Sequence, residues 1–134
     1  MAYMFLKKYG WDEENCIRVK ECISSHRYLS SMQPTTIEAK ILLDADKLDM
    51  TGAIGIGRVL LYQGFMKKSI YCKGEDSFLN EYRERLLKVY DSFYTEEAKE
   101  IASQRKELTH MFYQEILKDR ALNDFSNITQ YIGQ

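Results

Sequence analysis

The sequence predicts an all-α protein, and three observations support this class. Long stretches rich in Lys, Glu and Leu carry apolar residues at intervals of three and four, the spacing of one helix face. One proline and seven glycines leave little material for the turns of an all-β protein. Among 134 residues, 45% are hydrophobic and 29% are charged, which is a globular rather than a disordered balance. We therefore expect one helical domain with a modest core.

The first two helices are predicted from their ends. Residues 2–9 have the composition of a helix end but are too few to be stable alone. Asp12 is a suitable cap for a second helix over residues 13–25, because its carboxylate can accept from N–H groups of the first turn. The polar stretch 24–33, which contains His26, is predicted to be a loop.

The third helix is predicted to begin at Thr35 or Thr36 and to end near residue 50. The T-x-x-E spacing from Thr35 to Glu38 fits a capping box, in which each side chain binds the other residue's N–H group. A fourth helix, rich in glycine, is predicted over residues 52–64.

Two long helices follow a predicted loop at residues 67–76. The apolar stripe of the first consists of Phe78, Tyr82, Leu86, Val89 and Phe93. Thr95 is predicted to cap the second helix, whose stripe consists of Ala98, Ile101, Leu108, Phe112 and Ile116. We expect a helical domain over residues 1–118 and a polar tail over residues 119–134.

Charge and cysteine content exclude several functions. The net charge is −1, from 19 basic and 20 acidic residues, and no clustered basic face predicts nucleic-acid binding. Cys16, Cys22 and Cys72 have neither zinc-finger nor disulfide-framework spacing, so we expect three reduced thiols.

No stretch approaches the roughly 18 apolar residues that a membrane span needs. Together with the absence of a signal-peptide pattern, this predicts a cytoplasmic protein without membrane partners.

The hydrophobic segment from residue 41 to 58 contains three aspartates, whose burial would be costly. Asp44 follows Lys40 by four residues and precedes Lys47 by three, the spacing of an ordinary ion pair on a helix surface. This pattern predicts that Asp44 and Lys47 lie at the surface.

Asp46 and Asp49 are harder to assign. Asp46 lies one step around the helix from a predicted apolar face and beside Leu42. That face consists of Ile37, Ile41, Ala45 and Leu48. One interpretation is a structural carboxylate that reaches solvent or pairs with Lys47 or Arg58. The other is a ligand for a hard divalent cation, which prefers carboxylate oxygens. The residues alone leave both interpretations open.

Three glycines follow these aspartates in the order G-x-x-G-x-G. Gly52, Gly55 and Gly57 do not match the phosphate-binding glycine patterns, and no strand is predicted before them. Glycine inside a helix costs about 1 kcal/mol relative to alanine. We therefore expect these residues to allow close approach between helices.

Three segments together resemble small bacterial HD-domain phosphohydrolases. They read "ISSHRY", "EAKILLDADKLDMTGAIGIGR" and "SFYTEEAKEIASQRKELTHMFYQEIL", and the resemblance extends from about Phe5 to Leu117. It implies an all-α bundle of the HD-domain type. It also implies a divalent metal (Mn, Mg or Fe) held by a histidine, a His-Asp pair and a later aspartate, which Asp46 matches.

The resemblance covers only the C-terminal part of such a domain, because no His-Asp dipeptide is present. It implies an N-terminally truncated bundle in which Asp46 is buried on the inner side of the third helix. His26 and Asp49 become candidate substrate-binding residues, although a histidine in this position is also a common helix cap. Lys47 and Arg58 become candidates for phosphate contact, with surface solvation as their alternative.

Two functions follow as hypotheses. The first is part of a metal-dependent phosphohydrolase for nucleotides or other phosphate esters, inactive as this chain alone because three of four metal ligands are missing. The second is a non-catalytic helical remnant that acts through self-association or protein interaction. Truncation would expose apolar surface at Leu42, Leu43, Ile54 and Ile56, which predicts a homodimer.

Overall fold

The computed structural model describes residues 1–26, 32–71, 74 and 77–122, and every regular element in these ranges is helical. The predicted all-α class is therefore confirmed. The helices are α1 (Ala2–Lys8), α2 (Glu13–Ser25), α3 (Ile37–Leu48), α4 (Gly52–Phe65), α5 (Phe78–Glu81) and α6 (Glu96–Leu122). None of the helices in these ranges is both long and apolar enough to span a membrane.

The chain divides into two compact units. The first comprises Met1–Asp49 and Ser92–Ile101, and the second comprises Met50–Asp91 and Ala102–Gln134. Helix α6 continues beyond residue 118, where we had expected a tail to begin. Cys72, parts of the predicted loops and residues 123–134 lie outside the described residues.

Capping residues fix the helix starts in the first unit. Asp12 accepts from the Asn15 N–H group at 2.9 Å, as predicted. Helix α3 is capped by Thr36, which accepts from the Ala39 N–H group at 3.2 Å. The predicted capping box at Thr35 is wrong, because the carboxylate of Glu21 on α2 accepts from both the Thr35 hydroxyl and its N–H group.

Aromatic packing forms the core of the second unit. The Tyr82 ring stacks on Phe112 and Tyr113 at centroid distances of 5.8 and 5.5 Å, and it meets Phe78 edge-on. Its hydroxyl donates to the Thr109 carbonyl at 2.8 Å, so its polar end is satisfied inside the core. Burial raises the pKa of this hydroxyl, which stays neutral.

The predicted long helix over residues 78–93 is segmented. Helix α5 passes into a π-helical turn (Tyr82–Leu87) and then a 3₁₀ turn (Val89–Asp91). The five residues of its predicted apolar stripe are nevertheless all buried. In this segment periodicity predicted burial correctly, but it could not predict the change in backbone hydrogen bonding. In α6 the predicted stripe is wrong at Ile101 and Leu108, which are exposed.

The glycines of α4 fall into two groups. At Gly52, φ is +60° and an added Cβ would lie 3.0 Å from Arg105 of α6; at Gly55 it would lie 2.3 Å from the Met50 carbonyl. Among the described residues, nothing lies within 4 Å of a Cβ added at Gly57 or Gly64. The predicted close approach of helices is therefore confirmed at Gly52. It is wrong at Gly55, where the neighbour is local backbone, and at Gly57.

We expect Gly52→Ala to lower the free energy of unfolding by at least about 1–2 kcal/mol, because alanine at positive φ is strained. Gly57→Ala is the matched control on the same helix. It should raise the free energy of unfolding by up to about 1 kcal/mol, since alanine favours helix and meets open space. Urea unfolding followed by circular dichroism measures both, and equal effects would contradict this account.

Candidate functional site on the third helix

Asp44 is buried, with 2% of its surface exposed, and it holds the start of α6. Its two carboxylate oxygens accept from the Tyr94 N–H group at 3.1 and 3.0 Å. One of them also accepts from the Thr95 N–H group at 2.7 Å and from the Thr95 hydroxyl at 2.8 Å. Asp44 therefore satisfies N–H groups that a helix start leaves without intrahelical partners. Its predicted surface position is wrong.

Lys47 is also buried and lies one turn after Asp44. Its ammonium is 3.5 Å from the Asp44 carboxylate, donates to the Ser92 carbonyl and lies 4.4 Å from the Tyr94 ring centroid. Burial lowers the pKa of Lys47, and the negative charge of Asp44 opposes that change. The predicted ion pair is confirmed, but the predicted solvation of Lys47 is wrong because its charge is compensated inside the protein.

Asp46 is exposed, so its predicted burial is wrong. The apolar face predicted for α3 does not face inward: Ile37, Ile41 and Ala45 are exposed, and Leu48 is half-buried. The buried positions of α3 are Ala39, Leu43, Asp44 and Lys47. Two charged residues can occupy the inner face because they pair with each other and with backbone groups.

The remaining candidate residues lie at helix ends or surfaces. Asp49 is exposed and forms the C-cap of α3. His26 is half-buried at the C-cap of α2, with its Nδ1 atom 2.6 Å from the Ile23 carbonyl oxygen, which confirms the cap interpretation. Arg58 lies exposed on α4 in the second unit.

A metal centre needs several ligands, and the described residues alone do not provide one. No group of three or more His, Cys, Asp or Glu side chains in these ranges is arranged to hold a metal ion. Asp46 offers carboxylate oxygens suited to a hard cation. The residues present therefore fit a contribution to a metal site, rather than a complete site.

Sequence reasoning missed a polar network in the second unit. The Gly52 N–H group donates to the Tyr90 hydroxyl and to the Thr109 hydroxyl, each at 3.1 Å. Arg105 donates to the Thr51 hydroxyl at 3.2 Å. The sequence feature that could have indicated this network is Thr109, a polar residue between the apolar positions of α6. Its hydrogen-bond partners, however, are distant in sequence.

Comparison with known proteins assigns the fold to a superfamily. No family model matches the chain. YpgQ of Bacillus subtilis is 30% identical over 122 residues, which cover 88% of this chain and 59% of YpgQ. The crystal structure of YpgQ superposes with a TM-score of 0.72 at 29% identity. An HD-superfamily hydrolase from Bacillus thuringiensis, at 31% identity, superposes with a TM-score of 0.62 over 86% of this chain and 58% of that protein. The chain is therefore similar to the HD-domain superfamily in both sequence and fold.

The chain spans about three fifths of the length of the relatives it matches. One solved structure of YpgQ, with a TM-score of 0.70 to this chain, is a complex with ADP. The similarity to HD-superfamily structures and the all-α fold agree with the resemblance found in the sequence.

We expect Asp44→Asn to lower the free energy of unfolding by about 3 kcal/mol or more, because it leaves Lys47 buried with its charge uncompensated. Asp46→Asn, two residues along the same helix, is the matched control. It should change stability by less than about 0.5 kcal/mol, because Asp46 is exposed. Urea unfolding at pH 7 measures both variants. A larger loss for Asp46→Asn would mean that α3 is rotated relative to this structure.

Proposed function

We propose that this chain is part of an HD-type, metal-dependent phosphohydrolase acting on nucleotides or other phosphate esters. The observation that carries the proposal is the exposed carboxylate of Asp46 at the position that the family resemblance implies for a metal ligand. Asp44 is committed to the start of α6, whereas no side chain among the described residues pairs with Asp46. Asp46 is thus an available oxygen donor.

The proposed metal is a divalent ion such as Mn, Mg or Fe. When bound, such an ion lowers the pKa of a water ligand and polarises a phosphoryl oxygen. Asp46 would supply one ligand, and the others would come from outside the described residues. The nucleotide substrate class is supported by the ADP complex of YpgQ.

Substrate contact is proposed for three exposed or half-buried residues. Arg58 is exposed and carries the planar cation that suits phosphate oxygens. His26 uses Nδ1 at the end of α2, which leaves Nε2 for a ligand. Asp49 remains a candidate one turn after Asp46. Lys47 is the weakest of the original candidates, because its ammonium already contacts Asp44 and a backbone carbonyl.

We expect the 134-residue chain to show little Mn²⁺-dependent hydrolysis of ADP or of a generic aryl phosphate, because one family aspartate cannot hold a catalytic metal tightly. Release of phosphate or nucleoside monophosphate, measured with and without Mn²⁺, tests this expectation. Asp46→Ala serves as the comparison, and Asp91→Ala controls for loss of an exposed carboxylate. Turnover that requires Mn²⁺ and disappears only in Asp46→Ala would show that the chain, alone or as an oligomer, supplies a full ligand set.

Self-association is a second candidate function, and exposed apolar residues on α4 favour it. The solvent-exposed fractions of Ile54, Leu61 and Phe65 are 64%, 77% and 81%. These residues follow one another at intervals of seven and four positions, so they lie on one face of the helix. Of the four residues predicted to be exposed, Leu42 and Ile54 are exposed, whereas Leu43 and Ile56 are buried and those two predictions are wrong.

We expect the purified chain to form a homodimer with twice its mass of 15.8 kDa, because an exposed apolar helix face is stabilised by burial. Size-exclusion chromatography with light scattering measures the mass. The double variant Leu61→Glu, Phe65→Glu should be monomeric. Leu108→Glu with Met111→Glu, at exposed apolar positions of α6, is the control and should remain dimeric. A monomeric wild-type chain would exclude self-association.

A further inference from the structure

A cavity of about 350 Å³ lies in the second unit, beside the start of α5 and the C-terminal half of α6. Its lining includes Ser77, Leu79, Asn80, Arg83, Tyr113 and Arg120. This set contains two guanidinium groups, a hydroxyl, an amide, an aromatic ring and an aliphatic side chain. No described lining residue is acidic, and none is a candidate metal ligand. The volume of this cavity is at the small end of the range for ligand pockets, which is roughly 300–1,000 Å³.

The Arg83 guanidinium is held in place by two neighbours. Its Nη2 atom donates to the side-chain amide oxygen of Asn80 at 2.6 Å, and its Nε atom donates to the Glu84 carboxylate at 3.2 Å. Glu84 also accepts from Lys88, so one carboxylate serves two cations and positive charge remains in excess. A guanidinium carries five N–H donors, so Arg83 retains donors beyond these two bonds.

Arg120 adds a second cation to the cavity. The hydrogen-bond partner that the described residues provide for it is a neutral backbone carbonyl. Its Nη2 atom donates to the Tyr71 carbonyl at 3.3 Å. This bond orients the guanidinium without cancelling its charge. Two oriented guanidinium groups lining one cavity offer the forked N–H donors that phosphate oxygens accept in pairs.

The apolar part of the cavity is also fixed. Tyr113 is stacked on Tyr82 with an angle of 20° between the rings, and Leu79 packs against the same core. Arg83 belongs to the π-helical turn, and π turns frequently occur at functional sites. The lining of the cavity therefore combines cationic groups with apolar side chains that are already packed in place.

We propose that this cavity binds a small phosphate ester, with the phosphate between Arg83 and Arg120 and the organic part against Tyr113 and Leu79. The proposal is separate from the proposed hydrolysis, because binding here requires neither Asp46 nor a metal ion. The site is one of recognition, and no bond is made or broken in it.

Titration calorimetry with phenyl phosphate, in a low-salt buffer containing a chelator, tests the proposal. Arg83→Gln and Arg120→Gln should each weaken binding about tenfold or more, because each removes a charge-assisted hydrogen-bond donor. Arg85→Gln is the matched control: it makes the same charge change in the same π turn but does not line the cavity. It should leave the affinity within about twofold of wild type.

Further titrations separate the contribution of the phosphate group from that of the aromatic ring. Inorganic phosphate should bind more weakly than phenyl phosphate, because it lacks the contact with Tyr113, and phenol should not bind measurably. Asp46→Asn should bind phenyl phosphate as wild type does, so failure of the metal chemistry would not affect this result. Circular dichroism checks that each variant is folded. The comparison of phenyl phosphate, inorganic phosphate and phenol is made on the wild-type chain, so it does not depend on the folding of any variant.

Three results would overturn the proposal. The first is no binding of phenyl phosphate at millimolar concentration. The second is an equal loss of affinity in Arg85→Gln, which would indicate only general electrostatic attraction. The third is unchanged affinity in folded Arg83→Gln and Arg120→Gln, which would place the ligand elsewhere.

Discussion

The carboxylate of Asp44 determines the arrangement of the first unit. It accepts hydrogen bonds from Tyr94 and Thr95 at the start of α6, fifty positions further along the chain, and it balances the buried charge of Lys47. Either group alone would be costly inside a protein, whereas together they leave no charge uncompensated. Because both must face inward, the rotation of α3 about its axis is fixed, and Asp46 must face outward.

This rotation separates structural from available carboxylates on one helix. A metal ion competes with hydrogen-bond donors for carboxylate oxygens, so Asp44, with its oxygens occupied, is a poor ligand for an incoming cation. Asp46 has no such commitment among the described residues. The family resemblance and the hydrogen bonding therefore favour the same aspartate for different reasons. The burial that we first expected for Asp46 is not needed for that role.

Local signals were predictable from sequence, whereas long-range polar contacts were not. The cap at Asp12 and the buried stripe that contains Tyr82 depend on neighbours within four residues, and both were correct. The predicted phase of α3 is wrong because the inner face of this helix is not marked by its apolar residues. No rule based on hydrophobicity places Asp44 inside, since its partners at Tyr94 and Thr95 cannot be read from its own helix. The cavity at Arg83 was missed for the same reason.

The glycines of α4 differ in whether a contact offsets their cost in helix stability. A helical glycine costs about 1 kcal/mol, which is offset where it permits a contact that alanine would block. Gly52 and Gly55 meet that condition within the second unit. Gly57 and Gly64 do not, and they lie on a helix whose Ile54 and Leu61 are exposed. Their cost in helix stability is therefore not offset by any contact among the described residues. Self-association and a contribution to a hydrolase are compatible proposals, because the first would use the exposed apolar residues of α4 and the second would use the Asp46 carboxylate of α3.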